Sequence, residues 1–344
     1  MFLNTTHGRI MSQLKCLVSI NVKVRKGFCY EHTRHRKKPP GGSRVLKRNS
    51  DIFSFNAWDN VEWDDEQEAA AREAVSKNSS VTLSEDQVNK FENDADKFWD
   101  SFYDIHENRF FKDRHWLFTE FPELAPDVKA PERVYSDNTT SAQKPSTPPP
   151  PRRIFEPGCG VGNTILPILK YSQDANLKVY GCDFSAKAID ILKEHADFDS
   201  KRCEAFVMDA TNPVWDVPFE ENSIDIIVLI FVLSAIHPDK MKTVAENCYK
   251  YLKPGGLVLL RDYGRYDLAQ LRFKSGKCLQ DNFYVRGDGT RVYFFTQDEL
   301  KDLFGGVGFQ EEQNLVDRRL QVNRGRMLKM YRVWIQTKFR KPNV

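Results

Sequence analysis

A glycine-rich stretch constrains the fold of this chain more than any other part of its sequence. Two apolar residues precede Gly158, Gly160 and Gly162, and residues 164–169 then show the apolar spacing of a helix. This order predicts a strand, a tight glycine turn and a helix. Glycine permits positive φ angles and lets the backbone approach a ligand closely. On its own, the turn fits a nucleotide site and an ordinary loop equally well.

Strands and helices alternate after this turn. The predicted strands share runs of apolar residues and cover residues 152–156, 178–183, 205–209, 224–232 and 257–260. Helical spacing at residues 186–195 and 240–252 separates several of them. This alternation predicts an α/β fold with a doubly wound, mostly parallel sheet. Ligands of such sheets bind at the carboxyl ends of the strands.

Two acidic residues stand at the carboxyl ends of predicted strands. Asp183 follows the second strand, 25 residues after Gly158, where its carboxylate can accept hydrogen bonds from both hydroxyls of a ribose. Asp209 follows the third strand, where it can accept a hydrogen bond from an adenine amino group. A single aspartate at a strand end is more simply explained as a helix cap. Two of them beside a glycine turn favour a ligand that contains a nucleoside.

The spacing of the glycines narrows the ligand further. A dinucleotide site prefers G-x-G-x-x-G, but here Gly162 comes one residue early and Asn163 follows it. The sequence also lacks the G-x-x-x-x-G-K-[ST] pattern of a P-loop. The turn therefore suits a ligand with an amino acid group and no phosphate, which predicts S-adenosylmethionine as the cofactor.

Charge is unevenly distributed along the chain. Residues 1–50 carry 12 Lys or Arg and one acid, whereas residues 51–260 carry 22 Lys or Arg and 37 acids. A localised anionic partner and ordinary solvated charge both explain this pattern. The basic leader at residues 1–41 is typical of a mitochondrial transit peptide, and a disordered basic tail is the alternative. We therefore predict a mitochondrial location, with a cytoplasmic one as the alternative.

Two kinds of site are not expected. No apolar run approaches the roughly 18–20 residues of a membrane-spanning helix, so no membrane partner is predicted. The seven cysteines are isolated and form no C-x-x-C pair. No metal site is predicted from them.

The chain divides into four predicted segments. The leader is followed by a helical region at residues 42–125. Residues 126–151 contain seven of the 17 prolines and predict a linker. The sheet domain then occupies residues 152–344, with a long insert at about residues 264–295, where strand–helix connections are usually far shorter.

Aromatic residues in the helical region allow two interpretations. Trp99 and Tyr103 lie one helical turn apart, a spacing found in a packed core and also in the wall of a flat ligand site. Basic and aromatic residues alternate at residues 109–116, where Arg109, Lys112 and Arg114 could grip phosphates while aromatic rings stack on bases. A packed amphipathic connector explains this second stretch equally well.

Longer strings of sequence resemble one family. Residues 155–163 look like the S-adenosylmethionine loop of class I methyltransferases. The strings that narrow the resemblance lie at residues 230–241, 252–256, 261–267, 282–291 and 314–324. Apart from the linker, the chain from about Gly42 to Lys341 closely resembles the tRNA N3-methylcytidine methyltransferases, and its leader resembles their mitochondrial branch. Pro157 departs from the family, which usually has Val or Leu there.

The resemblance implies a fold, a cofactor site and a substrate. The fold would be a seven-stranded Rossmann-like methyltransferase sheet with an N-terminal helical cap. The residues implied to bind S-adenosylmethionine are Trp99, Tyr103, Gly158, Gly160, Asp183, Asp209, Ala210 and Ile230. The substrate would be cytosine 32 in the anticodon loop of selected tRNAs of the threonine, serine or arginine type. Some family members work with a helper protein such as an aminoacyl-tRNA synthetase.

The implied reaction asks little of acid–base residues. Cytosine N3 has a lone pair, so proximity and extrusion of the base are the main requirements. Asp262 is a candidate to bind the exocyclic amine, with a structural role as an equal alternative. The candidate contacts to RNA are basic residues of the N-terminal region, the insert and the C-terminal segment: Arg109, Lys112, Arg114, Arg265, Arg286, Arg291, Arg318 and Arg319.

Two other functions are compatible with the sequence. The same fold hosts methyltransferases of proteins and small molecules. A non-catalytic subunit with this fold is a further alternative, although the intact glycine turn, Asp183 and Asp209 argue against it.

Overall fold

The computed structural model describes residues 41–47, 51–125 and 151–343. Leader residues 1–40 and linker residues 126–150 lie outside the described residues, and the boundaries of these two segments stay predictions. The described strands are β1 (Ala57–Trp58), β2 (Arg153–Pro157), β3 (Lys178–Asp183), β4 (Cys203–Val207), β5 (Ile224–Ile230), β6 (Leu252–Tyr263), β7 (Cys278–Gln280), β8 (Phe283–Val285), β9 (Arg291–Tyr293), β10 (Gln310–Asn323) and β11 (Leu328–Arg340). The described α-helices are α1 (Asp65–Asn78), α2 (Glu85–Asn93), α3 (Ala95–His106), α4 (Leu117–Glu120), α5 (Ile165–Tyr171), α6 (Ala186–Glu194), α7 (Pro238–Tyr251), α8 (Leu268–Leu271) and α9 (Gln297–Gly305).

A central sheet organises the molecule, with the strand order β1-β10-β11-β6-β5-β2-β3-β4. Strands β4, β3, β2, β5 and β6 pair in parallel, and β11 and β10 continue the sheet in antiparallel pairs. The predicted doubly wound, mostly parallel sheet is confirmed. The strand order reverses at β2, because β3 lies on one side and β5 on the other. Such a reversal opens a crevice at the carboxyl ends of the strands.

The sheet has one strand more than the seven predicted. Ala57 pairs with Gln321 and Trp58 with Leu320, so the N-terminal region adds β1 to the edge formed by β10. An uncovered edge strand would expose unpaired backbone groups. The region at residues 42–125 is therefore not purely helical. A two-residue strand is too short to show a period, which is why the sequence pattern did not reveal it.

The central strand β5 accounts for much of the core. Ile227 and Leu229 pack on the face covered by α7 and α9, whereas Ile226 and Val228 pack on the face covered by α4, α5 and α6. A strand buried on both faces needs an almost continuous apolar run. This explains why β5 is the most hydrophobic predicted strand.

The N-terminal helices cover the carboxyl edge of this sheet. Within the predicted helical region, Asp94 separates α2 from α3, with φ and ψ angles of −103° and 17°. The Asp94 carboxylate forms an ion pair with Lys97 in the first turn of α3 at 2.7 Å. Helix α2 packs against the insert, where β7, β8 and β9 form a separate three-stranded sheet.

Two general properties of the described residues bear on function. None of their helices combines the length and apolar character needed to cross a bilayer. The same residues contain no group of three or more His, Cys, Asp or Glu side chains that could hold a metal ion.

Candidate active site

The glycine loop lies between β2 and α5, where the strand order reverses. Gly158 and Gly160 have φ angles of 67° and 53°, in the left-handed region that side chains disfavour. A Cβ atom on Gly158 would lie 2.1 Å from Val232 Cγ2, and one on Gly160 would lie 2.5 Å from the Tyr103 hydroxyl. Both positions therefore require glycine, and the loop packs closely against its neighbours.

The loop opens onto a cavity of about 560 Å³ at the carboxyl ends of the central strands. All the residues predicted to bind the cofactor line this cavity, namely Trp99, Tyr103, Gly158, Gly160, Asp183, Asp209, Ala210 and Ile230. They come from α3, from the glycine loop and from positions at or just after the ends of β3, β4 and β5. The fold thus brings together residues that are far apart in the chain, while their contacts to a bound cofactor stay a prediction.

Asp183 ends β3 and lies against the glycine loop. Its Oδ2 accepts a hydrogen bond from the Gly160 amide at 2.9 Å, and its Oδ1 accepts one from the Ser185 amide at 3.0 Å. Burial raises the pKa of Asp183 to about 6, and these two hydrogen bonds counteract part of the rise. Because a carboxylate oxygen can accept more than one hydrogen bond, both oxygens can still accept from ribose hydroxyls.

The adenine end of the predicted site is formed after β4 and β5. Asp209 lies two residues past β4, and its Oδ1 accepts a hydrogen bond from the Thr211 amide at 2.8 Å. Ala210 lies beside it, and Ile230, the last residue of β5, is 2% exposed. The Asp209 carboxylate is thus an acceptor suited to the polar edge of a purine, and Ile230 is an apolar surface suited to its face.

Helix α3 forms a lid over the cavity. The ring centroids of Trp99 and Tyr103 lie 5.9 Å apart on this helix. Tyr103 is buried, and burial raises its pKa well above the ordinary value. Its hydroxyl therefore stays protonated and can donate a hydrogen bond beside the glycine loop.

Arg114, which was predicted to contact RNA, forms hydrogen bonds within the protein, and its contact with RNA stays a prediction. Its guanidinium Nη1 donates to Thr164 Oγ1 at 2.9 Å and lies 3.5 Å from Glu156 Oε1. Burial raises the pKa of Glu156 to about 7, and the Arg114 charge opposes that rise. Arg114 also lines the cavity beside Asn163. It is a cation inside the cofactor cavity, where it can bind the carboxylate of an amino acid moiety.

Asp262, the candidate to bind the exocyclic amine, is hydrogen-bonded to two backbone amides, and its contact with the base stays a prediction. Its Oδ2 accepts from the Ser234 amide at 2.9 Å and its Oδ1 from the Tyr263 amide at 2.8 Å. Asp262 is fully buried, which raises its pKa to about 6, and it is not among the described residues that line the cavity. Alternation along β6 turns its side chain away from the face that carries Arg261 and Tyr263. Asp262 holds the turn after β5 against the end of β6.

Three further arginines that were predicted to contact RNA form ion pairs within the protein, and their contact with RNA stays a prediction. The pairs are Arg265 with Glu299 at 2.7 Å, Arg291 with Glu92, and Arg319 with Asp317 at 2.9 Å. Their arginine side chains are only 8–26% exposed. A buried guanidinium needs a nearby carboxylate to offset the loss of hydration. The sequence does not show which arginines meet this condition.

Four predicted RNA contacts remain accessible. Arg109, Lys112 and Arg318 are exposed, and Arg286 is half-buried. Arg318 lies over the ring of Trp63, with its guanidinium carbon 5.8 Å from the ring centroid. Their contact with RNA stays a prediction.

Phe231 is a cavity residue that the site prediction missed. It follows β5 directly and lines the cavity beside Ile230 and Val232. Its φ angle of 58° is unusual for a bulky residue, and such strain is concentrated at functional sites. Its ring centroid lies 5.1 Å from that of Tyr263. Its place at the carboxyl end of the strand predicted for residues 224–232 was the one signal in the sequence that could have revealed it.

The residues of the cavity fit S-adenosylmethionine. Carboxylates at Asp183 and Asp209 supply acceptors for a ribose and an adenine amine, and Arg114 supplies a cation for a carboxylate. Ile230 and Met208 supply apolar surface between them. The close contact between Gly160 and the Tyr103 hydroxyl keeps the lid against the loop that would face the amino acid end.

Comparison with known proteins gives a consistent result. A family model described as a methyltransferase domain matches residues 155–258. The chain is 66% identical over 314 residues to the tRNA N(3)-methylcytidine methyltransferase Mettl2 of Drosophila melanogaster, covering 91% of this chain and 92% of the relative. It is 54% identical over 319 residues to the tRNA N(3)-cytidine methyltransferase METTL2 of Danio rerio, covering 89% and 90%.

A more distant relative extends the same match. The tRNA N(3)-methylcytidine methyltransferase trm140 of Schizosaccharomyces pombe is 45% identical over 300 residues, covering 87% of this chain and 91% of the relative. The similarity therefore extends over almost the full length of each relative and includes both the lid and the sheet domain. The chain belongs to the family of S-adenosylmethionine-dependent tRNA N(3)-methylcytidine methyltransferases.

Proposed function

We propose that this chain transfers a methyl group from S-adenosylmethionine to N3 of a cytidine in tRNA. The observation that carries the proposal is the identity of 66% with a relative named for this activity over nine-tenths of both chains. The cavity supports it, because the acceptors and the cation that S-adenosylmethionine needs converge there. The relatives offer no support for the alternative reading as a methyltransferase of proteins or small molecules.

The chemistry of this transfer does not require a general base to remove a proton before the methyl group is transferred. The cofactor supplies an electrophilic methyl group. The cytosine N3 lone pair forms the new bond as the sulfur–methyl bond breaks, and the positive charge passes from sulfur to the base. A proton on the exocyclic amine can leave to solvent afterwards. The chain therefore has to bind, align and shield the reactants, and the buried ends of β2 to β5 are suited to this role.

An aromatic–basic track leads away from the cavity and would receive the RNA. It consists of Phe231, Tyr263, Trp334 and Arg286, all half-buried. Tyr263 pairs with Trp334 across β6 and β11, and the guanidinium carbon of Arg286 lies 5.7 Å from the centroid of the Tyr263 ring. Rings can stack on extruded bases, and guanidinium groups can stack or contact phosphates. This composition favours a single-stranded loop of RNA as the substrate.

The direct test is methylation of a defined RNA by the purified full-length chain. An anticodon stem-loop with cytidine at position 32 is incubated with S-adenosylmethionine, digested to nucleosides and examined by mass spectrometry for 3-methylcytidine. The same RNA with uridine at position 32 is the control. We expect 3-methylcytidine from the first RNA and no methylation of the second. Methylation of neither RNA, with or without added synthetase, would contradict the proposal, and methylation elsewhere would contradict position 32.

Three finer points of the proposal rest on sequence. We propose tRNAs of the threonine, serine or arginine type as substrates, and an aminoacyl-tRNA synthetase as a helper. The mitochondrial location rests on the basic leader, of which residues 1–40 lie outside the described residues. Measuring 3-methylcytidine separately in mitochondrial and cytosolic tRNA after removal of the protein tests location and substrates together. Loss in the cytosolic pool alone would contradict the mitochondrial location.

A further inference from the structure

We propose that Asp100 is a positioning residue that couples closure of the α3 lid to the orientation of the Asp183 carboxylate. It would thereby set the affinity for S-adenosylmethionine without touching it. The inference rests on the proposed use of S-adenosylmethionine by this cavity. It is independent of the RNA substrate.

The first link joins the lid to the start of α6. Asp100 Oδ1 accepts a hydrogen bond from the Ser185 hydroxyl at 2.6 Å and a weaker one from the Lys187 amide at 3.3 Å. Ser185 is fully buried. A short hydrogen bond to a carboxylate is among the stronger polar contacts in proteins. The lid helix is therefore attached to the sheet domain at a defined point.

The second link joins the start of α6 to the cofactor site. Ser185 caps α6, because its hydroxyl oxygen accepts a hydrogen bond from the Ala188 amide at 3.1 Å. Its own amide donates to Asp183 Oδ1 at 3.0 Å. Ser185 is thus held between two carboxylates, one on the lid and one in the cavity. A shift of the lid would disturb the residue that orients Asp183.

The third link returns to the lid and closes the network. Asp183 Oδ2 accepts from the Gly160 amide, and a Cβ atom at Gly160 would lie 2.5 Å from the Tyr103 hydroxyl. Asp100 and Tyr103 lie three residues apart on α3 and so contact the two ends of the same network. Among the described residues, neither Asp100 nor Ser185 lines the cavity. Their contribution to cofactor binding is therefore indirect.

The test measures S-adenosylmethionine binding to full-length Asp100→Ala, Asp100→Asn and wild-type protein by isothermal titration calorimetry. We expect Asp100→Ala to weaken binding roughly tenfold, as loss of a charged hydrogen bond does. Asp100→Asn keeps an acceptor for Ser185 without the charge and should show a smaller loss. At saturating S-adenosylmethionine, kcat should stay close to the wild-type value, which a partly unfolded variant would not achieve.

Asp104→Asn is the matched control. Asp104 lies one turn further along α3 and also contacts α6, through an exposed ion pair with Lys187 at 3.1 Å. We expect its affinity for S-adenosylmethionine to match the wild-type value. An equal loss of affinity in Asp104→Asn and Asp100→Ala, or wild-type affinity in both Asp100 variants, would overturn the proposal. Because the readout is cofactor binding, failure to methylate tRNA would be recognised as a separate result.

A second measurement separates coupling from simple packing. If Asp100 acts by holding the lid, Trp99→Ala should weaken binding less in the Asp100→Ala background than in the wild type, since the lid is already displaced. Fully additive losses would contradict the coupling. Circular dichroism melting of each variant verifies that the protein is folded during the titration.

Discussion

Three buried carboxylates near the cavity show how single residues acquire different roles. Burial raises the pKa of Asp183 and Asp262 to about 6 and that of Glu156 to about 7. Asp262 accepts hydrogen bonds from two backbone amides, and Glu156 lies beside Arg114. Asp183 also accepts from two amides, but it lines the cavity. A buried carboxylate costs free energy unless it is hydrogen-bonded, and Asp183 alone of these three can gain further partners from a ligand.

Replacing Asp183 with alanine should abolish tight binding of S-adenosylmethionine. Two hydrogen bonds to a charged group contribute about 1.5–3 kcal/mol each, so we expect affinity to fall at least 100-fold. Asp190→Ala, an exposed aspartate on α6, is the control and should bind normally. Calorimetric titration measures both variants. Wild-type affinity in Asp183→Ala would rule out the ribose assignment.

The raised pKa of Asp183 predicts a pH dependence of cofactor binding. The ionised carboxylate accepts from ribose hydroxyls, so affinity should fall about tenfold per pH unit below about pH 6. In this window the folded protein binds a proton before the unfolded chain does, because the folded pKa is the higher one. Protonation of Asp183 therefore increases the free energy of unfolding as pH falls. The expected loss of affinity for S-adenosylmethionine would thus not be explained by unfolding through this group. Constant affinity from pH 8 to pH 5 would contradict the prediction.

At the scale of elements, the lid and the glycine loop form one unit. Helix α3 carries Trp99 and Tyr103 over the cavity, and Asp100 attaches the same helix to α6. The glycine loop allows this approach because Gly160 has no side chain in the space that the Tyr103 hydroxyl occupies. The closeness of two elements remote in sequence thus depends on one missing Cβ atom.

Gly160→Ala tests this contact. The positive φ angle should lower the free energy of unfolding by about 1–2 kcal/mol, and the clash with the Tyr103 hydroxyl should lower it further. Thermal denaturation should show a lower melting temperature for Gly160→Ala. Adding Tyr103→Phe should reverse the part of this decrease that the clash causes. Gly287→Ala, where a Cβ would meet nothing within 4 Å, is the control. No improvement in the double variant would argue against the contact.

At the scale of the whole molecule, the basic residues predicted to contact RNA fall into two groups. Some form ion pairs within the protein, and others keep an accessible charge. Arginines at 265, 291 and 319 stabilise contacts between segments of the chain. Arg286 donates to Thr290 Oγ1 and to the Arg291 carbonyl, and in the described part of the chain it forms no ion pair. Its charge therefore stays available on the aromatic–basic track.

Arg286→Ala should weaken tRNA binding several-fold and leave the affinity for S-adenosylmethionine nearly unchanged. Loss of one phosphate contact should also reduce the slope of log K against log salt by about one. Arg72→Ala, at an exposed arginine on α1, is the control and should have little effect on either ligand. Filter binding over a range of salt concentrations measures the RNA affinity. A greater loss of cofactor than of RNA affinity would exclude Arg286 from the RNA surface.

The sheet and the cofactor cavity were largely predictable, whereas the substrate surface was not. Asp183 and Asp209 could be assigned to one site because parallel strands bring their carboxyl ends to the same edge of a sheet. The ion pairs of Arg114 and Arg319 were not predicted, because a basic residue in the sequence looks the same whether it faces RNA or a carboxylate of the same chain. The edge strand β1 was not predicted because two residues are too few to show a period, and its partner strand is more than 260 residues away along the chain.

The sequence alone is enough to predict the α/β fold, the glycine loop at Gly158–Gly162 and the class of cofactor. These features depend on local periodicity and on residues within one strand–turn–helix unit, which are visible in the order of amino acids. The folded structure was needed to show that Asp262 is buried, that Arg114 lines the cavity and that Asp100 is linked to Asp183 through Ser185. Such roles depend on distance, burial and partners contributed by segments far apart in sequence.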